Sequence, residues 1–76
     1  MKKFIHTRKH KEFCNLMIET RKHYGLTQVE LAKRLKSSQS FVSKYERGER
    51  RLDVLEFILI AKAIGADPAE LIRTFT

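Results

Sequence analysis

The 76-residue sequence predicts an all-α fold, a compact five-helix domain. Three observations predict it. Helix-start signals recur at Thr27-Gln28-Val29-Glu30, Asp53-Val54-Leu55-Glu56 and Asp67-Pro68-Ala69-Glu70, each a small polar cap with a carboxylate three residues on. The three glycines each follow a helical stretch, and the only proline lies just inside one. No segment alternates apolar and polar residues around a hairpin turn.

Composition sets the class. At this length there is room for one domain, which buries only ~60% of its unfolded surface, so a partner would add stability. Hydrophobic residues at 42% and charged residues at 33% fit a globular chain. No apolar run approaches the ~18 residues of a membrane span, and the basic start has no apolar stretch of a signal peptide. A single cysteine, Cys14, forms no internal disulfide, which fits a cytoplasmic protein. The net charge of +7 is uneven: residues 1–51 carry +9 and residues 52–76 carry −2. Such polarity places a polyanion-facing side on the first part and a protein-facing side on the second.

Residues 1–10 form a basic N-terminal arm, and residues 11–76 form the domain. The arm reads as a frayed terminus, as a basic segment touching phosphate or a minor groove, or as a short piece packing Phe4 and Ile5 on a second subunit. The first helix spans about 11–24, with Phe13, Leu16, Met17, Thr20 and Tyr24 on one face. Gly25 stops it, and Arg21, Lys22 and His23 suit its negative end. His6, His10 and Cys14 share a helical spacing, but a structural zinc site takes four ligands, so no metal is expected and Cys14 reads as a small buried filler.

The second helix spans about 28–35 behind the capping box of Thr27 and Glu30, with Val29, Leu31, Ala32 and Leu35 as its apolar positions. Lys36-Ser37-Ser38 breaks the pattern. Ser38 caps a third helix over about 39–46, whose inward residues are Val42 and Tyr45 and which ends at Gly48. The fourth helix covers about 54–64. Leu55, Ile58, Leu59 and Ile64 read as its core stripe, and Val54, Phe57 and Ile60 as apolar excess. That excess marks either a helix central in the core or a subunit contact, with Phe75 joining the latter. A last helix covers about 68–74, with Asp67, Pro68 and Glu70 as its start signal and Leu71 and Ile72 facing inward.

The outer face of the third helix carries Gln39, Ser40, Ser43 and Lys44, followed by Arg47, Arg50 and Arg51. Alone, such a face is ordinary solvated surface. Beside a paired helix, a turn and a basic loop, it is the arrangement that enters a DNA major groove, the helix meeting bases and the arginines phosphates.

These residues resemble the XRE (Cro/repressor-type) helix-turn-helix family. The likeness runs from about Phe13 to Leu71. It is most specific at Leu26-Thr27-Gln28 with Leu31-Ala32, and at Ser38-Gln39-Ser40, Val42-Ser43-Lys44 and Glu46-Arg47-Gly48. The resemblance implies a lambda-repressor-like fold and double-stranded DNA as partner. It implies that Gln39, Ser40, Ser43 and Lys44 read base edges, that Gln28 contacts phosphate and steadies Gln39, and that Ser38 contacts phosphate or a base edge. It also implies an ion pair between Arg21 and Glu46. Two positions depart from the family pattern. No glycine occupies the turn, so Lys36 or Ser37 must take any left-handed conformation there. Phe41 replaces a smaller residue, to meet a thymine methyl or to pack beside the turn.

The expected function is a sequence-specific transcriptional regulator acting as a homodimer on a near-palindromic site, nucleoid-associated when bound, without a cofactor. Blocking polymerase would repress and touching it would activate. Two rivals stand beside it: an antitoxin or adaptor that holds a protein partner, and a controller of a restriction-modification operon. No catalytic set is legible in three histidines and one cysteine without a glycine-rich phosphate loop, and the strand motifs of common RNA modules are lacking.

Overall fold

The computed structural model describes residues 7–76. Among these residues five helices follow in order: α1 (Arg8–His23), α2 (Gln28–Leu35), α3 (Gln39–Glu46), α4 (Val54–Ile64) and α5 (Pro68–Phe75). Among the described residues there is no strand, and none of the helices is long and apolar enough to cross a membrane.

Local capping explains the boundaries. Thr7 accepts the His10 amide at 3.2 Å and starts α1 at Arg8, three residues before the expected beginning. The end of the expected arm is therefore helical, while Phe4, Ile5 and His6 lie outside the described residues. At the other end Tyr24 leaves the core and stands 48% exposed, its ring edge-on to His23. Leu26 turns inward instead, its amide donating to Arg21 O at 3.1 Å, so the chain re-enters the core as α1 ends.

Thr27 and Glu30 form their reciprocal box, the Glu30 amide donating to Thr27 Oγ1 at 3.0 Å and the Thr27 amide to Glu30 Oε1 at 2.9 Å. Val29 does not face inward as expected; it is exposed, and Leu31 and Ala32 carry the buried face. Lys36 takes the left-handed conformation, φ 55°, that the turn requires. Asp53 and Glu56 close the second box. The third start signal works differently. Asp67 accepts the Ala69 amide at 2.9 Å, and Glu70 pairs with Arg73 rather than completing a box.

Met17, Leu31, Val42, Ile60 and Ile64 are the largest fully buried side chains, so α1 to α4 share one core. The orientation of α4 overturns two expectations. Phe57, Ile60, Ala61 and Ile64 face the core, while Leu55 and Leu59, expected inside, are 72% and 63% exposed. Phe57 and Ile60 are consequently not available as subunit contacts. Phe75 is also engaged within the chain, half-buried and edge-on to Phe13 with ring centroids 5.9 Å apart. Of the four expected interface residues only Val54 is exposed.

Candidate nucleic-acid interface

The site is built on α3, the second helix of the pair. Ser38 accepts the Phe41 amide at 3.1 Å and fixes where α3 begins. Val42 and Tyr45 are buried, which turns Gln39, Ser40 and Lys44 to solvent, with Ser43 half-buried beside them.

A run of hydrogen bonds locks this helix to the rest of the domain. Arg21 and Glu46 are both buried. Arg21 Nε donates to Glu46 Oε2 at 2.7 Å and Nη2 to Oε1 at 3.1 Å, while Nη1 donates to Leu26 O at 2.8 Å. The hydrogen bonds to Glu46 raise the Arg21 pKa above its ordinary value and outweigh the opposing effect of burial. Gln28 Nε2 then donates to Glu46 Oε1 at 2.9 Å, and Gln39 Nε2 donates to Gln28 Oε1 at 3.3 Å. The carboxylate accepts only, so it turns the Gln28 amide nitrogen inward and its oxygen toward Gln39. Among the described residues Gln39 keeps one N–H and its carbonyl oxygen free, the pair that matches adenine N7 and N6.

The basic loop is less open than its composition implies. Arg47 donates to Glu49 through Nε at 3.0 Å and Nη2 at 3.1 Å, and to the Ser43 hydroxyl through Nη1. Those bonds hold the Glu49 carboxyl below the usual carboxylate range. Arg50 grips Glu56 with both Nη atoms, at 2.9 and 2.6 Å, and its guanidinium covers the Phe41 ring at 4.9 Å. Phe41 is thus packed between Arg50 and Tyr45 and half-buried. Arg51 and Lys44 make no ion pair among the described residues.

Sequence reasoning missed Glu49, and it read Glu56 as part of a capping box but not as the partner of Arg50. The available signal was the carboxylate set between two arginines in Arg47-Gly48-Glu49-Arg50. It also missed Arg34, whose Nη1 donates to Ala63 O at 2.9 Å and ties α2 to α4. Cys14 is buried and donates to Tyr45 O at 3.5 Å, and burial pushes its thiol pKa up, as suits a core filler.

Two short helices, a left-handed turn and a polar α3 face held on a buried ion pair define a DNA-binding helix-turn-helix domain. The helix-turn-helix family model matches residues 17–71, and the chain belongs to the XRE type of that family, whose members are transcriptional regulators. An HTH-type transcriptional regulator of Sinorhizobium fredii, y4dJ, is 38% identical over 52 residues, 68% of each chain. An XRE-family like protein from Pseudomonas syringae pv. tomato superposes with a TM-score of 0.88 at 46% identity, over 97% of this chain and 90% of that one. The restriction-modification controller protein C.AhdI from Aeromonas hydrophila superposes with a TM-score of 0.77 at 29% identity, over 86% and 98%.

Proposed function

We propose that the protein is a sequence-specific regulator that seats α3 in the major groove of double-stranded DNA as a homodimer on a near-palindromic site. One observation carries this reading. Gln39 stands exposed at the start of α3 and is fixed, through Gln28 and Glu46, to Arg21 of α1. A reading residue anchored in this way loses little freedom on binding. Gln39, Ser40, Ser43 and Lys44 read bases, with Gln39 aimed at adenine. Gln28, Ser38, Arg47 and Arg51 meet phosphate, while Arg50 stays on Glu56 and would meet phosphate only by releasing it.

One such module makes few base contacts, and a second copy doubles them. Val54, Leu55, Leu59 and Ile72 are exposed apolar residues on α4 and α5, on the half of the chain that carries negative net charge. Joining two copies there keeps the basic half free for DNA, with half-sites about 34–36 Å apart. The dimer represses where its site overlaps that of polymerase. The likeness to the restriction-modification controller protein C.AhdI favours a controller role of the same kind.

In vitro selection of duplex DNA, at a stated salt concentration, tests specificity, symmetry and spacing together. Enrichment of an inverted repeat is the expected result; a pool that stays random removes the reading. Sedimentation of Leu55→Glu and Leu59→Glu tests the dimer face. The same exposed face also fits a foreign protein, as an antitoxin would require, and a stable monomer that co-purifies with a second chain would favour that alternative.

A further inference from the structure

Glu49 is the only exposed carboxylate between Leu31 and Leu52, on a surface otherwise basic. Its place is set by the backbone. Gly48 is left-handed at φ 80°, and the Glu49 amide donates to Lys44 O at 2.9 Å, closing the end of α3. This puts the carboxylate beside Arg47, which holds it with two N–H donors and holds the Ser43 hydroxyl with a third. A carboxylate and a phosphate present the same acceptor pattern to a guanidinium fork.

We propose that Glu49 is a positioning residue that occupies the phosphate site of Arg47 in the free protein, and that DNA displaces it. The inference rests on the DNA-binding reading above. On docking, Arg47 exchanges the carboxylate for a backbone phosphate. As its guanidinium swings away, the Ser43 hydroxyl is released toward the base edges. Phosphate contact and base reading are thereby coupled through one side chain. The pair is exposed on both sides, 55% and 56%, so the exchange is easy, and Glu49 lowers affinity without abolishing it.

The test is a binding cycle on the selected duplex with wild type, Glu49→Gln, Arg47→Ala and the double variant, across a salt series. Glu49→Gln keeps the shape and removes the charge. It is expected to tighten binding by about fivefold with the salt slope unchanged, because the same phosphates are contacted in both proteins. Arg47→Ala is expected to reduce the slope by about 0.9, and in that background Glu49→Gln is expected to gain nothing. A gain that survives without Arg47, together with a steeper slope, would mean that Glu49 simply repels DNA, and overturns the exchange. So does unchanged affinity in Glu49→Gln. The exchange rate of the Arg47 Nε proton, followed by NMR in the free protein, reads the clasp without DNA and should rise in Glu49→Gln; an unaltered rate overturns it. Failure of the selection removes the DNA reading instead, and is distinct from these outcomes.

Discussion

Arg21 near the end of α1 and Glu46 at the end of α3 form a buried, two-pronged ion pair, Nε to Oε2 at 2.7 Å and Nη2 to Oε1 at 3.1 Å. It joins residues 25 apart in sequence and ties α3 to α1. The third arm of Arg21, on Leu26 O, and the Gln28 amide on Glu46 leave little of the pair unsatisfied. Removing either partner strands the other charge in the core. Glu46→Ala or Arg21→Ala is therefore expected to cost about 3–5 kcal/mol, while a double replacement by Leu and Met costs much less. Urea unfolding of the three variants checks this. Single variants near wild type would mean that water reaches the pair.

A second stability prediction concerns Tyr45. Its hydroxyl is buried and has no hydrogen-bond partner among the described residues. Burial, then Glu46, pushes its pKa well above the ordinary tyrosine value. An orphaned buried hydroxyl costs about 1–3 kcal/mol. Tyr45→Phe keeps the ring against Phe41 and removes that cost. It should raise the melting temperature, each kcal/mol gained being worth roughly 4–8 °C in a domain of this size. A drop on calorimetry would place a water on the hydroxyl.

The turn offers a third. Lys36 is the one non-glycine residue with positive φ among those described. A side chain in that region costs about 1–2 kcal/mol, partly offset by the extra freedom a glycine has when unfolded. Lys36→Gly should thus stabilise by up to about 1 kcal/mol, and Ser37→Gly, whose φ is not positive, should not. Chemical denaturation of both separates the two positions.

What was legible followed the range of the interactions. The helix starts were readable at Thr27, Ser38, Asp53 and Asp67, because a cap and its amide lie within three residues. The family motif located Gln28, Gln39 and the Arg21–Glu46 pair, which no periodicity reveals. The facing of α4 was not readable. VLEFILIAKAI is apolar in nearly every direction, so its pattern has no contrast, and only the position of the other helices selects Phe57 and Ile60 over Leu55 and Leu59. The clasps on Arg47 and Arg50 were not readable for a related reason. Composition counts their charge but not the glutamates folded against them.

Acid should weaken the domain in a defined window. Glu30, Glu49 and Glu56 are all held below the ordinary carboxylate value of 4.5, by the Thr27 backbone, by Arg47 and by Arg50 respectively. A depressed folded-state pKa contributes stability that is complete above the unfolded value and is lost as pH falls through the folded one. The melting temperature should accordingly hold from pH 7 to about 5 and decline below about 4.5. Glu56→Gln, which removes the fork to Arg50, should make that decline shallower. An equal decline in both proteins would assign acid sensitivity to other groups.

Arg50 and Arg51, adjacent and alike in sequence, should behave differently. Arg50 is committed to Glu56 and to the Phe41 ring, and its Nη1 also donates to Arg51 O at 2.9 Å. Arg51 is exposed and makes no ion pair among the described residues. For Arg51→Ala, affinity for all duplexes should fall and the salt slope should flatten by about 0.9, with the melting temperature unchanged. For Arg50→Ala, the melting temperature should drop modestly, because α4 loses its tether to the loop, while the slope changes little. Salt titrations of binding paired with thermal unfolding of each variant separate the roles. If Arg50→Ala flattens the slope as much as Arg51→Ala does, then Arg50 leaves Glu56 for phosphate when DNA arrives, and the clasp seen in the free protein is exchanged at both arginines.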